Sequence, residues 1–283
     1  MIISSNSLIS PSHLNCFMSS HAILQESRCA VKIPFISVVT VVRNDLSGLR
    51  ATYASLLRQD FGDFEWIVVD GGSTDGCVAF LRSVDALSIT WRSERDKGIY
   101  DAMNKGTTLA SGDYVIYLNA SDCFHGTESL RGIAKVLKSD RVDLLCCGAC
   151  YTAGKQRYKR PPRRIEKSIW HSVPSVHQAM IFRRKFLDEV PYDIAFHGSA
   201  DYYTTARCFI KGARVGYLQS SVVDYVLGGY SSRHKWEAVK EAFVIQRQIL
   251  RQNHFLCLAS LARRVVSQIL IDLSVLLAKR GLR

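Results

Sequence analysis

Two polar segments of this chain carry the residue types that bind a phosphorylated ligand chelated to a metal ion. Residues 94–106 join a Gly-flanked acidic loop containing Asp96 to a helical pattern containing Asn104 and Lys105. Residues 119–122 read Asn-Ala-Ser-Asp and follow a short apolar run. Carboxylate and carbonyl oxygens are ligands for Mg²⁺, which in turn binds the oxygens of substrate phosphates. The two segments therefore predict a site for such a ligand.

Both segments follow elements that alternate between strand and helix patterns. Apolar runs predict strands at residues 36–42, 64–69, 89–91 and 114–118, with helical patterns between them. This alternation predicts right-handed crossovers and a mostly parallel, Rossmann-like α/β sheet flanked by helices. Ligands of such sheets bind outside the carboxyl ends of the strands. We therefore expect four strand exits to converge on one edge: Asn44, Asp70, the loop around Asp96, and residues 119–122.

The remaining elements are predicted from weaker patterns. Ser47 is the predicted N-cap of the first helix, and a mobile loop is expected around Pro161 and Pro162. The further predicted elements are a strand at 143–147, helices at 183–189 and 200–211, strands at 215–218 and 222–225, and C-terminal helices at 235–252 and 255–279. The expected organisation is a loosely ordered extension (1–34), the α/β domain (35–231) and a C-terminal helical segment (232–283).

Composition limits the class of protein and its partners. The chain has 283 residues, of which 47% are hydrophobic, and a formal net charge of +12. Such a charge favours an anionic partner, namely nucleotide phosphates, a lipid surface or nucleic acid. Nucleic acid is the least favoured, because the basic stretches lack the interleaved aromatic residues of a base-stacking surface. The nine cysteines show no zinc-like spacing, and they predict a reducing cytosol.

The order of these motifs and the residues within them resemble the family 2 glycosyltransferases, and most closely the bacterial exopolysaccharide and colanic-acid type. The resemblance covers about residues 35–231 and is strongest over residues 36–122. It implies a GT-A-like fold and transfer of a sugar from a nucleoside diphosphate of the UDP or GDP type. The residues it assigns to nucleotide and donor binding are Thr40, Asn44, Asp70, Asp96, Asn104 and Asn119. For residues 70–73, the alternative is an ordinary turn with a helix cap.

The metal motif departs from the resembling family. Many members have two or three carboxylates at this strand end, whereas this chain has Asn119, Ser121 and Asp122. The resemblance assigns a Mg²⁺ or Mn²⁺ ion to Asp122, with Asn119 as a further oxygen ligand. Because Mg²⁺ often uses few protein ligands, one carboxylate is a workable site. The alternative for Asp122 is a turn residue.

The resemblance also assigns the acceptor side of the site. Asp201, at the predicted start of a helix, matches the base of inverting members, with Asp193 as the next candidate. His177 and Gln178 are assigned to the acceptor pocket, and Trp170 and His171 to closure over the donor. An acidic residue at a helix start is also a common choice that only favours the helix dipole. A lone histidine is likewise more often structural than catalytic.

The last predicted helix is amphipathic. Its apolar positions include 258, 261, 262, 265, 266 and 269, and Arg263 and Arg264 are predicted to lie on the opposite face. Such a helix can lie in a membrane interface, or it can pack on the domain or on a partner chain. No segment reaches the roughly 18 uncharged apolar residues of a spanning helix, and the N-terminus lacks a secretory pattern. The expected location is therefore cytoplasmic, with peripheral contact at the inner face of the plasma membrane.

The sequence thus predicts an inverting glycosyltransferase with a divalent metal cofactor. Its predicted donor is a nucleotide sugar, and its predicted acceptor is a saccharide, lipid-linked in surface polysaccharide biosynthesis. The alternative function is a nucleotide-sugar-binding protein with impaired catalysis, which Asn119 and Ser121 motivate.

Overall fold

The computed structural model describes residues 33–153, 156–226 and 234–279. Residues 1–32 of the predicted extension, and the predicted boundary between residues 231 and 232, lie outside the described part. Within that part, strands and helices alternate from residue 36 to residue 117, as predicted.

The strands are β1 (Ile36–Val42), β2 (Phe64–Asp70), β3 (Ile89–Ser93), β4 (Tyr114–Tyr117), β5 (Cys123–Phe124), β6 (Leu144–Ala153), β7 (Gln156–Arg160), β8 (Met180–Arg183) and β9 (Val215–Val226). The helices are α1 (Leu46–Leu57), α2 (Cys77–Arg82), α3 (Ile99–Leu109), α4 (Ser129–Asp140), α5 (Ile165–Ser168), α6 (Arg184–Glu189), α7 (Ala200–Ile210), α8 (Lys235–Val244) and α9 (His254–Lys279). A 3₁₀ turn (His177–Ala179) precedes β8, and a π-helical turn (Ile245–Ile249) follows α8.

The described strands form one sheet in the order β3-β2-β1-β4-β8-β6-β9-β5, with β7 paired to β6. β1 is parallel to both β2 and β4, and β2 is parallel to β3. The carboxyl ends of these four strands therefore meet at one edge. β8 runs antiparallel to β4, and β6 and β9 run parallel to each other. Every residue of β1 is buried, as expected for a parallel strand covered on both faces.

Helices cover both faces of the sheet. On one face, Leu49 of α1 and Leu130 of α4 pack in an apolar cluster. On the other, Met103 of α3 packs in a second cluster that also includes residues of α7. At Gly106, a Cβ atom would stand 2.4 Å from Val39 Cγ1. Only glycine allows α3 to lie this close to β1, and this close packing fixes the position of α3 and of the loop before it.

Two local predictions are wrong. Asp45 caps α1, because its Oδ1 atom accepts a hydrogen bond from the Gly48 N–H at 2.9 Å, whereas Ser47 lies inside the helix. Residues 215–226 form one strand instead of two. β9 stays paired with β6 through a register shift on both sides of Gly148.

The basic segment around Pro161 and Pro162 joins β7 to α5. Residues 161–164 have no regular secondary structure, in agreement with the predicted loop, and Pro162 is buried. The Arg160 guanidinium lies 5.1 Å from the ring centroids of both Tyr151 and Tyr158. These cation–π contacts hold a charged strand against the sheet edge, which a reading of charge alone does not reveal.

The C-terminal segment packs on the domain. The helix predicted over 235–252 ends at Val244, where the π-helical turn begins, and Arg251 has a left-handed φ of 51°. Cys257 and Ser260 of α9 are buried. Arg264 lies on this same inner face, so its predicted place on the polar outer face is wrong. No helix in the described ranges is both long and apolar enough to cross a bilayer.

Candidate active site

Asp70 ends β2 and is buried at the edge where the parallel strands end. Its Oδ2 atom accepts hydrogen bonds from the Ser73 N–H at 3.0 Å and from the Ser93 hydroxyl at 2.6 Å. Its Oδ1 atom is buried and has no hydrogen-bond partner in the described part of the chain. An unsatisfied buried acceptor costs free energy. Oδ1 is therefore the atom of Asp70 that is available to a ligand N–H.

Asp96 lies in the loop between β3 and α3. Its Oδ1 atom accepts a hydrogen bond from the Gly98 N–H at 3.0 Å. A Cβ atom at Gly71 would stand 2.4 Å from Asp96 Oδ2, so a larger residue at this position would displace the Asp96 carboxylate. The loops that carry Asp70 and Asp96 consequently lie side by side.

Asn44 connects the loop after β1 to the loop after β2. It has a left-handed φ of 52°, and its Oδ1 atom accepts a hydrogen bond from the Thr74 N–H at 2.8 Å. The Asn44 N–H donates to the Ser73 hydroxyl oxygen at 2.7 Å. The side chain is exposed at the strand edge, so it forms part of the surface of the site.

Thr40, in contrast, is fully buried inside β1. Its hydroxyl donates to the Leu118 carbonyl oxygen at 2.8 Å and accepts from the Trp66 indole N–H at 2.9 Å. Burial and these two bonds give Thr40 a place in the sheet core instead of the nucleotide contact that the resemblance assigns to it.

The loop after β4 is held by α1. The Thr52 hydroxyl contacts the carbonyl oxygens of Asn119 at 3.2 Å and Asp122 at 2.8 Å. Ser121 has a left-handed φ of 76°, and its hydroxyl donates to Asp45 Oδ2 at 2.8 Å. Ser121 occupies a position where the resembling family often has a carboxylate. Its hydroxyl is bonded to Asp45, the N-cap of α1.

Asn119 and Asp122 supply oxygen atoms that suit a hard divalent cation. The Asn119 Oδ1 atom is buried and has no hydrogen-bond partner among residues that the structure describes. Asp122 is buried, and its Oδ2 atom accepts a hydrogen bond from Gln178 Nε2 at 2.9 Å. An unsatisfied carbonyl oxygen and a carboxylate in one four-residue loop fit Mg²⁺ or Mn²⁺. Gln178 accordingly lies against the predicted metal ligand.

Asp201 lies in the first turn of α7 and contacts α3. The Tyr100 hydroxyl donates to Asp201 Oδ1 at 3.3 Å, and Oδ1 also accepts from the Tyr202 N–H at 2.8 Å. Burial raises the pKa of Asp201 to about 6, and both hydrogen bonds and the charge of Arg264 act in the opposite direction. A carboxylate with a pKa near 6 is suited to accept a proton at neutral pH.

An aromatic cluster lies behind Asp201. The Tyr100 ring stacks on Tyr192 at 5.6 Å, and Tyr192 contacts Tyr117 edge-on at 5.3 Å. His177 stacks on Tyr117 at 5.0 Å, and its Nε2 atom lies 2.7 Å from the Tyr192 hydroxyl. Burial lowers the pKa of His177 to about 3, so this imidazole is neutral near pH 7. The contacts of His177 support the cluster and not the acceptor pocket.

Asn104 supports the same cluster. Its amide N–H donates to the Tyr192 carbonyl oxygen at 2.8 Å, and its Oδ1 atom accepts from the Tyr192 N–H at 2.9 Å. Both ends of the side chain are engaged with one peptide backbone. Asn104 therefore fixes Tyr192, which in turn stacks on the tyrosine that contacts Asp201.

The C-terminal helices hold Asp201 from two further directions. The Glu241 carboxylate of α8 accepts backbone hydrogen bonds from His197 at 2.7 Å and Gly198 at 2.9 Å, in the segment that leads into α7. Arg264 of α9 donates to the His171 carbonyl oxygen and lies over the Tyr202 ring. Its Nε atom is buried without a partner in the described ranges.

Glu241 and Arg264 are the supporting residues that sequence reasoning missed. Neither belongs to a recognisable motif, and each lies 40 or more positions from Asp201 in the sequence. The other predicted candidates have local contacts. Asp193 accepts from the Ala195 N–H in a turn, and Trp170 donates to the Glu166 carbonyl oxygen.

A second group of metal-binding side chains lies near β5. His125, Cys150 and Asp224 each offer one ligand atom, and these atoms are within 4.8 Å of one another. His125 Nδ1 is 2.6 Å from Asp224 Oδ1, which also accepts a hydrogen bond from Arg157 at 2.8 Å. Arg157 therefore already places a positive charge next to this group of side chains. The spacing of the cysteines could not predict this group, because its members come from two strands and a loop that are far apart in the sequence.

Comparison with known sequences adds a family to this geometry. The family described as Glycosyl transferase family 2 matches residues 37–201, a range that ends at Asp201. An uncharacterized glycosyltransferase of Mycobacterium tuberculosis is 35% identical over 173 residues, which cover 59% of this chain and 66% of the relative. A PGL/p-HBAD biosynthesis glycosyltransferase of Mycobacterium bovis is 29% identical over 206 residues, covering 70% of this chain and 80% of the relative.

Solved structures show the same fold. The TarS 1–349 structure of S. aureus has a TM-score of 0.64 at 19% identity, covering 82% of this chain and 72% of that one. The same protein was also solved with UDP-GlcNAc. The mannosyltransferase PcManGT of Pyrobaculum calidifontis, solved with GDP-Man and Mn²⁺, has a TM-score of 0.61 at 20% identity, covering 88% and 79%. These structures are GT-A glycosyltransferases, so the fold prediction is confirmed.

Proposed function

Because this chain belongs to glycosyl transferase family 2, a family of transferase enzymes, we propose that it transfers one sugar from a nucleoside-diphosphate sugar to an acceptor hydroxyl, with inversion. The observation that carries the proposal is the Asp201 carboxylate, whose raised pKa of about 6 suits a general base. Tyr100 connects this carboxylate to the helix that follows the Asp96 loop.

The donor nucleoside is bound at the strand exits. Asp70 Oδ1 is a buried acceptor without a hydrogen-bond partner among the described residues, and it accepts an N–H of the base or a hydroxyl of the ribose. Asp96 and Asn44 complete this side of the site. Structures of similar fold that contain UDP-GlcNAc or GDP-Man support a donor of the UDP or GDP type.

The departing diphosphate is bound next to the loop after β4. Asp122 and Asn119 are the residues that would hold a Mg²⁺ or Mn²⁺ ion there. Such an ion, when bound, offsets the negative charge that develops on the diphosphate. Gln178 keeps the Asp122 carboxylate oriented through its 2.9 Å hydrogen bond. The structure of similar fold that contains Mn²⁺ supports this assignment.

The acceptor hydroxyl gives its proton to Asp201. As the proton moves to a carboxylate oxygen, the hydroxyl oxygen attacks the anomeric carbon on the face opposite the diphosphate. The bond between that carbon and the diphosphate breaks, and its electron pair leaves with the diphosphate. One displacement of this kind inverts the anomeric configuration. The hydrogen bond from Tyr100 and the charge of Arg264 keep Asp201 ionised between turnovers.

The acceptor is a lipid-linked saccharide in surface polysaccharide biosynthesis, reached from the cytoplasmic face of the membrane. A similar protein named for PGL/p-HBAD biosynthesis supports an acceptor of the cell-envelope type. The peripheral position agrees with a chain of net charge +12.

The alternative is a nucleotide-sugar-binding protein without transfer activity. Two neutral residues, Asn119 and Ser121, stand where related sequences often have carboxylates, and the Ser121 hydroxyl is bonded to Asp45. Asp201 favours the transferase, because its carboxylate lies in the first turn of α7, contacts Tyr100 of α3 and has a raised pKa that suits proton transfer.

Thermal denaturation with UDP, GDP and their sugars, with and without Mn²⁺, tests the donor site. A ligand at about 100 times its Kd stabilises the folded chain by about 2.7 kcal/mol. Release of free UDP or GDP in the presence of Mn²⁺ then separates the two functions. If a nucleotide sugar stabilises the folded chain but none of the acceptor extracts leads to release of UDP or GDP, the binding protein is favoured.

A further inference from the structure

Helix α9 has one face that packs on the domain and an opposite face that carries exposed apolar side chains. Its inner face contacts the domain through Cys257, Ser260 and Arg264, and Ser260 accepts a hydrogen bond from Gln246 at 2.9 Å. This inner face alone explains why α9 packs where it does. It leaves the outer face without a function in the fold.

The outer face carries a stripe of large apolar residues, which we call the outer stripe: Phe255, Leu258, Val266 and Ile269. Their spacing of 3, 8 and 3 positions places them on one side of a helix. The exposed fractions are 82% for Phe255, 54% for Val266 and 47% for Ile269. Large apolar side chains gathered on one exposed helix face mark an interaction surface.

The charges near the outer stripe are mostly positive. Residues 242–271 contain four arginines and no aspartate or glutamate, and Asp272 follows one turn after Ile269. Arg251 and Arg263 are exposed before and beside the stripe. An apolar stripe with an excess of cations along it is complementary to a surface that is apolar inside and anionic outside.

A cation-lined cavity lies where the chain enters α9. Its volume is about 550 Å³, and Arg207, Lys211 and Arg251 line it together with Ile210 and Leu250. Lys211 is paired with Glu189 at 2.8 Å, while the Arg207 guanidinium lies over the Tyr203 ring. Ile210 is 53% exposed at the rim. The lining suits a phosphate group attached to an apolar chain.

We propose that the outer stripe of α9 binds an anionic phospholipid membrane, with a lipid phosphate held in the cavity of Arg207 and Arg251. This surface gives the proposed function a membrane contact, so its purpose rests on that function. Binding itself needs no transfer activity. A second copy of the chain fits less well, because a two-fold contact through the stripe would bring the same arginines towards each other.

Sedimentation of the full-length chain with lipid vesicles tests the proposal. Wild-type protein should bind vesicles of phosphatidylglycerol mixed with phosphatidylcholine, and it should bind pure phosphatidylcholine at least about tenfold more weakly. The double variant Phe255→Ser, Leu258→Ser should bind the mixed vesicles at least about tenfold more weakly, since burying one large apolar side chain is worth about this factor. The matched control is Leu57→Ser, which changes an exposed leucine on α1 and should bind normally.

The phosphate cavity is tested by Arg207→Gln with Arg251→Gln, which should weaken binding to mixed vesicles but not to neutral ones. Millimolar inorganic phosphate distinguishes a free anion from a lipid headgroup, because it should not release wild-type protein. Normal vesicle binding by the stripe variant, or a wild-type dimer that this variant converts to a monomer without any vesicle binding, would overturn the proposal. Transfer to a soluble acceptor should be unchanged in the stripe variant. Its absence in the wild type, with vesicle binding intact, would count against the proposed function alone.

Discussion

The Tyr100 hydroxyl lies 3.3 Å from Asp201 Oδ1, across 101 positions of sequence. The bond joins the first turn of α3 to the first turn of α7. The bond therefore connects two halves of the site. One half consists of the strand exits, including the Asp96 loop that precedes α3, and the other carries the proposed base. Three of the predictions below concern Asp201 and its bond to Tyr100.

Replacement of the base tests the reaction itself. Asp201→Asn keeps the size and shape of the side chain but cannot accept the acceptor proton, so kcat should fall by about 10²–10⁴. Donor affinity should persist, because Asp70 and Asp96 are unchanged. A variant that turns over at nearly the wild-type rate would leave Asp201 as a helix-start residue, and Asp193→Asn would then be the next variant to measure.

The pH dependence of activity should report Asp201. Since the pKa of this carboxyl is raised to about 6, kcat/KM should rise with pH and level off above about 7. Tyr100→Phe removes a hydrogen bond to the carboxylate, and Arg264→Met removes a nearby positive charge. Both changes should move the rising limb to higher pH, whereas Arg264→Lys should largely restore it. An unmoved limb in both variants would mean that the limb belongs to another group.

The same carboxyl affects stability with a definite sign. Its folded pKa of about 6 exceeds the ordinary value of 3.8. The protonated form is therefore favoured by folding, and this contribution is fully present below pH 3.8 and is lost as the pH rises through about 6. Asp201→Asn should raise the free energy of unfolding more at pH 7 than at pH 4. Urea denaturation of the two proteins at both pH values measures the difference.

Removal of the metal ligand tests the assignment at the loop after β4. Asp122→Ala leaves only neutral side chains at positions 119 and 121, so Mn²⁺ should no longer increase nucleotide affinity. His125→Ala is the matched control, because it changes the other group of metal-binding side chains. Should His125→Ala abolish the Mn²⁺ effect and Asp122→Ala preserve it, the ion would belong to His125, Cys150 and Asp224.

Glu241 should act through the position of the base. Glu241→Gln keeps one acceptor oxygen for the two backbone N–H groups of His197 and Gly198, and Glu241→Ala keeps none. We expect kcat to fall in the order wild type, Gln, Ala, with little change in donor affinity. Equal losses of kcat and of nucleotide binding would instead indicate general unfolding.

Truncation of the chain before α9 should damage the domain. From the sequence, α9 is either a membrane-interface helix or a helix packed on the domain or on a partner chain, and only in the first case could it be cut off without loss of transfer. The structure buries Cys257 and Ser260 of this helix and ties Arg264 to His171. Deletion from residue 253 onwards should therefore destabilise the fold by at least about 2 kcal/mol, measured as a drop in Tm. A truncated chain with an unchanged Tm would restore the earlier expectation.

The sequence predicted the parallel half of the fold because its signals are local. Ile36–Val42 is a continuous β-branched run, and its bounds match the observed strand. The long strand β9 was split in two, since Gln219 to Ser221 are polar and only pairing across the sheet keeps them extended. The aromatic cluster was not predicted either. Tyr100, Tyr117 and Tyr192 come from three distant segments, and no spacing rule brings them together.

The candidate site shows the same division between local sequence signals and contacts made by distant residues. Asp70, Asp96 and Asp122 follow strands, and topology alone places strand exits at a common edge. Thr40 and Asn104 have suitable chemistry in the sequence, but internal hydrogen bonds engage their side chains. Whether a polar group faces a ligand or its own backbone depends on atoms that lie far away in the chain.

The anchors of Asp201 also limit how the protein can be recombined. Residues 37–201 contain the family match and the proposed base, yet Glu241 and Arg264, which contact the segments around Asp201, lie beyond this range. A chimera that joins the matched range of one enzyme to the C-terminal segment of another would contain Asp201 without the Glu241 and Arg264 that evolved with it. In evolution, the base and the tail of such a protein must change together, so variation in the tail is a source of difference in rate as well as in location.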